Sequence, residues 1–230
     1  MNKNNVPLHL ALIPDGNRRW AKTEGFEAGY GHIKVGDYEH LRELILGAKQ
    51  FGVKYLSLWA FSTENWARAK KERDTIFDMI LNSVEKFRED ASENKLRFRH
   101  IGRKDRLPDR VVSEISKLEK ETENYNGFNV LLCLDYGGRD EIIRSVNKII
   151  ASGIKSVDEN KFSEFLDTFG IPDVDLIIRT AGDYRLSGFM PFQSAYSEFY
   201  FPKINFPDFN KQKLAKAIEE FARRKRNFGR

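Results

Sequence analysis

The stretch Asp15-Gly16-Asn17-Arg18-Arg19 places a carboxylate, an amide and two guanidinium groups directly after a short apolar run. Glycine allows a tight turn whose exposed backbone N–H groups can bind an anion. Arginine adds forked hydrogen bonds to phosphate oxygens, and a carboxylate can hold a Mg²⁺ ion that bridges such oxygens. The stretch therefore indicates a magnesium-assisted phosphate site. The alternative is an ordinary Asp-Gly turn with solvated arginines.

A second polar group, Ser62, Glu64, Asn65 and Arg68, follows the apolar run at 55–61. It offers a hydroxyl, a carboxylate, an amide and a guanidinium group within seven positions. The same residues also suit an N-capping turn that opens a helix. The two interpretations are compatible, because a capping turn at the end of a strand can also face a ligand.

A third group lies at 179–189, where Arg179, Arg185 and Ser187 surround a turn that contains glycine. This composition suits a second anion, with a solvated loop as the alternative. Further along, Glu198 stands among aromatic residues. An isolated buried carboxylate is costly, so we expect Glu198 to be paired with a cation or bound to a metal.

The four histidines predict no transition-metal site. His9, His40 and His100 have no metal-ligand spacing to one another or to His32. His32, in the segment 29–36, is either a functional residue or a satisfied cap or surface residue.

The apolar pattern predicts the elements that must position these groups. Apolar runs rich in branched or aromatic residues predict strands at 8–13, 55–61, 96–101, 128–134 and 174–179. Apolar residues at helical spacing lie between these strands and predict helices. They form four groups: Leu41, Leu44, Ile45 and Ala48; Phe77, Ile80, Leu81 and Val84; Val111, Ile115 and Leu118; and Ile142, Ile143, Val146, Ile149 and Ile150. The alternation of strand and helix predicts an α/β fold with a mostly parallel central sheet and helices on both faces.

The polar groups follow the strands of this predicted sheet. Ligands of open α/β sheets bind outside the carboxyl ends of the strands, and polar segments follow the first, second, fourth and fifth strands at 14–20, 62–68, 135–141 and 180–189. We therefore expect one shared site at this edge. No repeat or linker divides the chain, so a single domain over 1–230 is predicted, closed by an amphipathic helix that Asn210 opens.

Composition narrows the class of protein. The net charge of +5 points to an anionic partner, and the single cysteine, Cys133, excludes a disulfide framework and a multi-cysteine zinc site. The apolar runs are short and the first residues resemble no signal peptide, so we expect a cytoplasmic protein.

The motifs together resemble those of the cis-prenyltransferase family, whose best-known member is undecaprenyl diphosphate synthase. The resemblance covers nearly the whole chain and depends on DGNRRWAK (15–22), GH (31–32), FSTENWAR (61–68), YGGRDEI (136–142), VDLIIRTAGDYRLSGF (174–189), QSAYSEFYF (193–201) and PDF (207–209). It implies that the chain condenses isopentenyl diphosphate with an allylic diphosphate, farnesyl or geranylgeranyl diphosphate, with Mg²⁺ as cofactor. The expected assembly is a homodimer.

The resemblance also implies roles for individual residues. Asp15 would act in catalysis and bind Mg²⁺ together with Glu198, which would join from the partner-facing side. Ser62, Asn65 and Arg68 would position isopentenyl diphosphate and assist proton removal. The remaining residues implied in substrate binding are Gly16, Asn17, Arg18, Arg19, Trp20, His32, Phe61, Trp66, Arg179, Arg185 and Ser187. The helix faces at 41–48 and 77–84 would line a tunnel for the product, with plain core packing as the alternative.

The chain departs from the family pattern at several positions. Ala28 stands where many members carry an arginine, Asp183 where glutamate is frequent, and Phe192 where tryptophan is frequent. A C-terminal Arg-x-Gly pattern that crosses the dimer in many members is replaced here by Asn227-Phe228-Gly229.

Two other functions fit parts of the sequence. One is a non-catalytic subunit of a heterodimeric cis-prenyltransferase, although such subunits tend to lose the motif residues that this chain retains. The other is a nucleic-acid-binding module, suggested by the basic segment 97–106. We expect no nucleic-acid partner, because a base-reading module needs no acid beside each arginine at a strand end. A long lipid product also suggests peripheral membrane contact, which the basic C-terminal residues would favour.

Overall fold

The computed structural model describes residues 5–26 and 38–225 of the chain. Its strands are β1 (His9–Ile13), β2 (Tyr55–Ser62), β3 (Leu96–Ile101), β4 (Phe128–Tyr136), β5 (Leu176–Arg179) and β6 (Glu198–Tyr200). Its α-helices are α1 (Asn17–Thr23), α2 (Tyr38–Gln50), α3 (Lys70–Asn94), α4 (Asp109–Thr122), α5 (Gly138–Ala151), α6 (Glu159–Ser163) and α7 (Lys211–Arg223). Short 3₁₀ helices cover Thr63–Ala67, Thr180–Gly182 and Phe206–Asp208.

The six strands form one parallel sheet in the order β3-β4-β2-β1-β5-β6. The chain moves from β1 to β2 on one side and later returns to place β5 on the other side of β1. The connections that follow β1 and β5 therefore run to opposite sides of the sheet. This reversal opens a crevice at the carboxyl ends of the two strands. The α/β prediction and its parallel sheet are confirmed.

Both faces of the sheet are buried. Leu10 and Leu12 of β1 belong to a large core under α2, α3, α4 and α7, whereas Ala11 and Ile13 belong to a smaller core on the opposite face. This division follows from the alternation of side chains along a strand. Helix α5 is tied to the second face, because the Tyr136 hydroxyl donates to Glu141 over 2.7 Å.

The sequence pattern predicted β1 to β5 with boundaries close to those observed, but it missed β6. That strand has three residues and pairs with β5 at the edge of the sheet, too short to show a period. The predicted start of the last helix is confirmed, since the Asn210 side chain accepts from the Lys213 N–H at 3.1 Å.

The apolar face of helix α5 is only partly buried. Ile149 of its apolar stripe is buried, but Ile143, Val146 and Ile150 are 60%, 38% and 68% exposed. A large apolar surface of this kind on a helix is available to another molecule. Within residues 5–26 and 38–225, no helix is both long enough and apolar enough to cross a membrane.

Candidate active site

An ion pair between Asp15 and Arg179 lies at the carboxyl edge of the sheet. Ile13, the last residue of β1, is in register with Arg179, the last residue of β5, so the turn after β1 meets this arginine. Arg179 Nη2 and Nε lie 2.7 and 3.2 Å from Asp15 Oδ2. The Arg179 side chain is only 6% exposed, against 32% for Asp15. The carboxylate therefore faces open space while the guanidinium is held in the wall.

The buried guanidinium has further partners in the loop after β5. Arg179 Nη1 donates to the Arg185 carbonyl at 2.6 Å and to the Ser187 hydroxyl at 2.7 Å. These bonds satisfy a cation that would otherwise be costly to bury. They also bring together Asp15, Arg179 and Ser187, which the sequence predicted to share a site.

The backbone around Asp15 is fixed by contacts that the sequence did not reveal. The Asp15 N–H donates to Thr180 Oγ1 at 2.8 Å, and that hydroxyl donates to the Asp15 carbonyl at 2.7 Å. Gly16 has φ +95°, and a Cβ there would lie 2.4 Å from Asn205 Oδ1 and 2.8 Å from the Ala181 Cβ. The turn needs glycine for its backbone angle and for this close approach.

A small cavity of about 300 Å³ opens over this turn. Its lining consists of Pro14, Asp15, Gly16, Asn17, Arg18, Arg19 and Arg68. Arg18 and Arg19 are exposed, and Arg19 Nη1 donates to the Ala181 carbonyl at 2.8 Å. Three guanidinium groups around one carboxylate make a site for an anion, with room for a cation at Asp15.

A larger cavity of about 410 Å³ begins at the same turn and shares Pro14, Asp15, Asn17 and Arg68 with the small one. Its polar end also contains Ser62, Glu64, Asn65, Arg179 and Ser187. Its other end is apolar and is lined by Leu41, Ile45, Leu58, Ile76, Met79, Ile80, Val84, Phe87, Phe98, Val130 and Leu132. One space thus joins a charged entrance to an apolar interior.

Helices α2 and α3 line this interior with part of their predicted faces. Leu41, Ile45, Ile80 and Val84 are in its wall, whereas Leu44, Ala48, Phe77 and Leu81 pack in the core. Part of each face therefore lines a cavity, as the tunnel interpretation requires, and part packs only in the core.

The turn after β2 carries the second predicted group. Asn65 Oδ1 accepts from the Ser62 N–H at 3.1 Å, and the Arg68 N–H donates to the Asn65 carbonyl at 3.0 Å. Ser62, Asn65 and Arg68 all line the larger cavity, as does Phe61. The turn is therefore both a capping turn and a wall of the site.

Three of the described residues that were predicted to bind substrate, Trp20, Trp66 and Arg185, line neither cavity. The Trp20 indole donates to Asp208 at 3.1 Å and is absent from both linings, and Trp66 packs between Phe61 and Phe77 behind the cavity wall. The exposed Arg185 side chain pairs with Asp183 at 3.2 Å. His32 lies outside the described residues, as do Ala28 and Asn227.

Glu198 is also distant from Asp15 within one chain. It pairs in register with Leu176 at the start of β5, in the row of Leu10, and its carboxylate accepts from Arg224 at 2.8 Å. In the described part of the chain, no cluster of three or more His, Cys, Asp or Glu side chains could hold a metal.

The predicted polar segment 135–141 begins within the end of β4 and contacts the turn 62–68 outside the cavities. Asp135 is fully buried and accepts from the Trp66 indole at 2.8 Å, while Asp140 pairs with Arg103 and Arg144. The sequence placed this segment at the correct edge, but it could not show that these acids face protein partners.

Asp183 contacts one arginine near the turn after β1 and one in the loop after β5. Its carboxylate lies 3.4 Å from Arg19 and 3.2 Å from Arg185. Partial burial alone would raise the pKa of Asp183, but the charge and hydrogen bond of Arg185 and the charges of Arg179 and Arg19 together hold it below its usual range. The loop around it is strained, since Ala181 and Ser187 adopt φ of +70° and +53°.

The chain matches proteins of one enzyme family along its whole length. The family model described as "Putative undecaprenyl diphosphate synthase" matches residues 13–229. An isoprenyl transferase of Fusobacterium nucleatum is 41% identical over 225 residues, covering 98% of this chain and 96% of the relative. An isoprenyl transferase of Wolinella succinogenes is 42% identical over 229 residues, covering 100% and 99%.

Two solved structures have the same fold. Lavandulyl diphosphate synthase from Lavandula x intermedia, in complex with dimethylallyl diphosphate, superposes with a TM-score of 0.93 at 35% identity, covering 98% of this chain and 99% of the other. A probable undecaprenyl diphosphate synthase from Campylobacter jejuni superposes with a TM-score of 0.83 at 34% identity, covering 98% and 100%.

Proposed function

Because the chain belongs to the undecaprenyl diphosphate synthase family and is a prenyltransferase, we propose that it condenses isopentenyl diphosphate with farnesyl or geranylgeranyl diphosphate. The product is a longer cis-polyprenyl diphosphate. One observation carries this proposal: two cavities meet at Asp15, one surrounded by arginines and the other leading from charged residues into an apolar interior.

The small cavity suits the diphosphate of the allylic substrate. In the reaction the allylic C–O bond breaks and its electron pair leaves with the diphosphate, so negative charge grows on that group. Arg18, Arg19 and Arg68 surround this position, together with the backbone of the turn at Gly16. Fixed donors directed at a developing charge lower the barrier, and this is often the largest single catalytic effect.

The polar end of the larger cavity suits isopentenyl diphosphate. Arg179 and Ser187 would bind its diphosphate, with Arg185 closing over it from the exposed loop. The double bond of isopentenyl diphosphate then attacks the allylic carbon, and the resulting carbocation loses a proton, which the released diphosphate can accept. Ser62 and Asn65 lie in this wall, where they would position the substrate and assist that proton transfer.

The apolar end of the larger cavity suits the hydrocarbon chain. Each methylene group removed from water contributes about 0.8 kcal/mol, so a prenyl chain gains several kcal/mol by entering it. This gain holds the growing chain while its diphosphate end stays at the arginines.

Asp15 fits the magnesium ion that the family resemblance implies. Mg²⁺ keeps several waters and is commonly bound by one or two carboxylates plus substrate phosphates, so it needs no protein cage. Asp15 offers a partly exposed carboxylate between the two diphosphate positions. When bound, the ion would neutralise charge on the departing diphosphate.

We also propose a homodimer. The exposed stripe Ile143, Val146 and Ile150 on α5 supports it, because water contact with such a surface is unfavourable. Glu198 would serve the metal site only across a subunit boundary, since it is distant from Asp15 in its own chain. The basic residues at the end of α7, Arg223, Arg224 and Lys225, would favour peripheral contact with an anionic membrane.

A product-sizing assay tests the reaction. The purified chain is incubated with labelled isopentenyl diphosphate, Mg²⁺ and a panel of allylic primers. We expect products longer than the primer, and a loss of about 10³-fold in turnover for Asp15→Ala, as when a comparable charge-stabilising group is removed. Wild-type protein that gives no condensation product would contradict the proposal. An Asp15→Ala variant of unchanged activity would remove the role of the carboxylate.

A further inference from the structure

Asp135 is a buried charge that the proposed reaction does not use. It is fully buried near the end of β4, and its backbone has φ +51°, which is uncommon for a residue other than glycine. A charge in this position requires compensating partners. The residues that contact Asp135 indicate its role.

One partner is Arg106, in the loop after β3. The guanidinium forms a two-pronged pair with the carboxylate, with Nε to Oδ2 at 2.9 Å and Nη2 to Oδ1 closer still. The loop can approach because Gly102 has φ +126°, and a Cβ there would lie 2.4 Å from the Leu134 carbonyl oxygen. Asp135 is therefore held in one orientation.

The other partner is Trp66, whose indole N–H donates to Asp135 Oδ1 at 2.8 Å. The guanidinium carbons of Arg73 and Arg106 lie 5.2 and 5.7 Å from the Trp66 ring centre. Phe61 and Phe77 pack against the same ring, at 5.5 and 5.8 Å between centroids. Trp66 is thus held by a charged hydrogen bond, two cations and two aromatic rings.

Trp66 lies in the middle of the turn 62–68 but faces away from both cavities. Its neighbours Glu64, Asn65 and Arg68 face the larger one. A second contact fixes the same turn, because Gly137 approaches Thr63 so closely that a Cβ would lie 2.3 Å from Thr63 Oγ1. The turn therefore rests on the end of β4 at two points.

We propose that Asp135 is a positioning residue, which acts through Trp66 to hold Ser62, Asn65 and Arg68 against the reacting substrates. This inference deepens the proposed function and rests on it. It also reassigns Trp66, which the sequence predicted as a substrate contact, to a supporting role. Displacing a turn of this kind by about 1 Å can cost on the order of 100-fold in rate.

Four variants test the proposal: Asp135→Ala, Asp135→Asn, Trp66→Phe and the double variant Asp135→Ala/Trp66→Phe. Trp66→Phe keeps an aromatic ring and removes the N–H, so it tests the hydrogen bond even if Asp135→Ala fails to fold. Asp105→Ala is the matched control, because Asp105 pairs with Arg103 in the same loop as Arg106 but does not touch Trp66.

We expect Asp135→Ala and Trp66→Phe each to lower kcat by about 10- to 100-fold. The double variant should lose no more than the worse single variant, because both remove one interaction. Asp135→Asn should recover most of the rate, since its amide oxygen still accepts from the indole. Amide hydrogen exchange of residues 62–68 should accelerate in the two single variants and not in Asp105→Ala.

Three results would overturn the proposal. They are unchanged kcat with only a lower melting temperature, losses that multiply in the double variant, or unchanged amide exchange at 62–68 in Trp66→Phe. Wild-type protein without condensation activity would instead remove the proposed function, and the exchange measurement would then decide the positioning role alone.

Discussion

At the scale of single residues, the site depends on one turn that only particular residues can form. Gly16 adopts φ +95° and packs against Asn205 and Ala181, while Asp15 beside it accepts from Arg179. The sequence predicted a phosphate-binding turn here. It could not predict Asn205 or Thr180 as supports, because they are far along the chain and are recognised only by contact.

Gly16→Ala should damage both stability and activity. The left-handed backbone angle costs an alanine about 1 kcal/mol, and the overlap with Asn205 adds a packing penalty of about 1–3 kcal/mol. Gly25→Ala is the control, since Gly25 has φ +74° and a Cβ there would meet no described atom within 4 Å. Chemical denaturation of both variants separates the cost of the backbone angle from the cost of the overlap with Asn205. Equal losses in the free energy of unfolding would show that the contact with Asn205 is unimportant.

At the scale of elements, the carboxyl ends of the strands position the polar residues of the site, and helices α2 and α3 line the apolar cavity. The strands β1 to β5 were predictable because each is an apolar run bounded by turn residues. The role of each residue within an element was less predictable from the sequence. Periodicity marked one face of α3, but it could not separate Val84, which lines the cavity, from Phe77, which packs in the core without lining the cavity. An aromatic residue in a motif, such as Trp66, likewise gives no information on which way its ring faces.

Phe87 on α3 should limit the length of the product. It lines the apolar part of the cavity, so Phe87→Ala would extend the space available to the hydrocarbon. We expect the product distribution to shift by about one isoprene unit, with a stability cost of about 3–5 kcal/mol. Phe221→Ala is the control, because Phe221 is equally buried but does not line the cavity. A shift in both variants, or in neither, would contradict this role.

At the scale of the whole molecule, the arginine-lined cavity and the exposed apolar stripe occupy different regions. Arginines line the small cavity at one edge of the sheet, where the anionic partner that the net charge of +5 predicted would bind. The helical stripe on α5 faces outward instead. A helical period shows that a face is apolar, but it cannot show whether that face meets its own core or a second chain.

The exposed stripe leads to a prediction about assembly. Replacing Ile143 and Ile150 by lysine should convert a dimer to monomers, because two charges in an apolar interface would be desolvated without partners. Sedimentation velocity measures the change, and Val157→Lys is the control, since Val157 is also exposed but lies outside α5. A double variant that remains dimeric would place the interface elsewhere.

The proposed reaction requires two diphosphates to bind side by side around Asp15, and a measurement of simultaneous binding distinguishes this arrangement from a single shared site. Calorimetric titration would use isopentenyl diphosphate and a non-ionising allylic thiodiphosphate, each in the presence and absence of the other. We predict that both bind together, that Arg18→Ala/Arg19→Ala weakens only the allylic analogue, and that Ser187→Ala weakens only isopentenyl diphosphate. Competition of the two ligands for one site would contradict the arrangement of two diphosphate positions around Asp15.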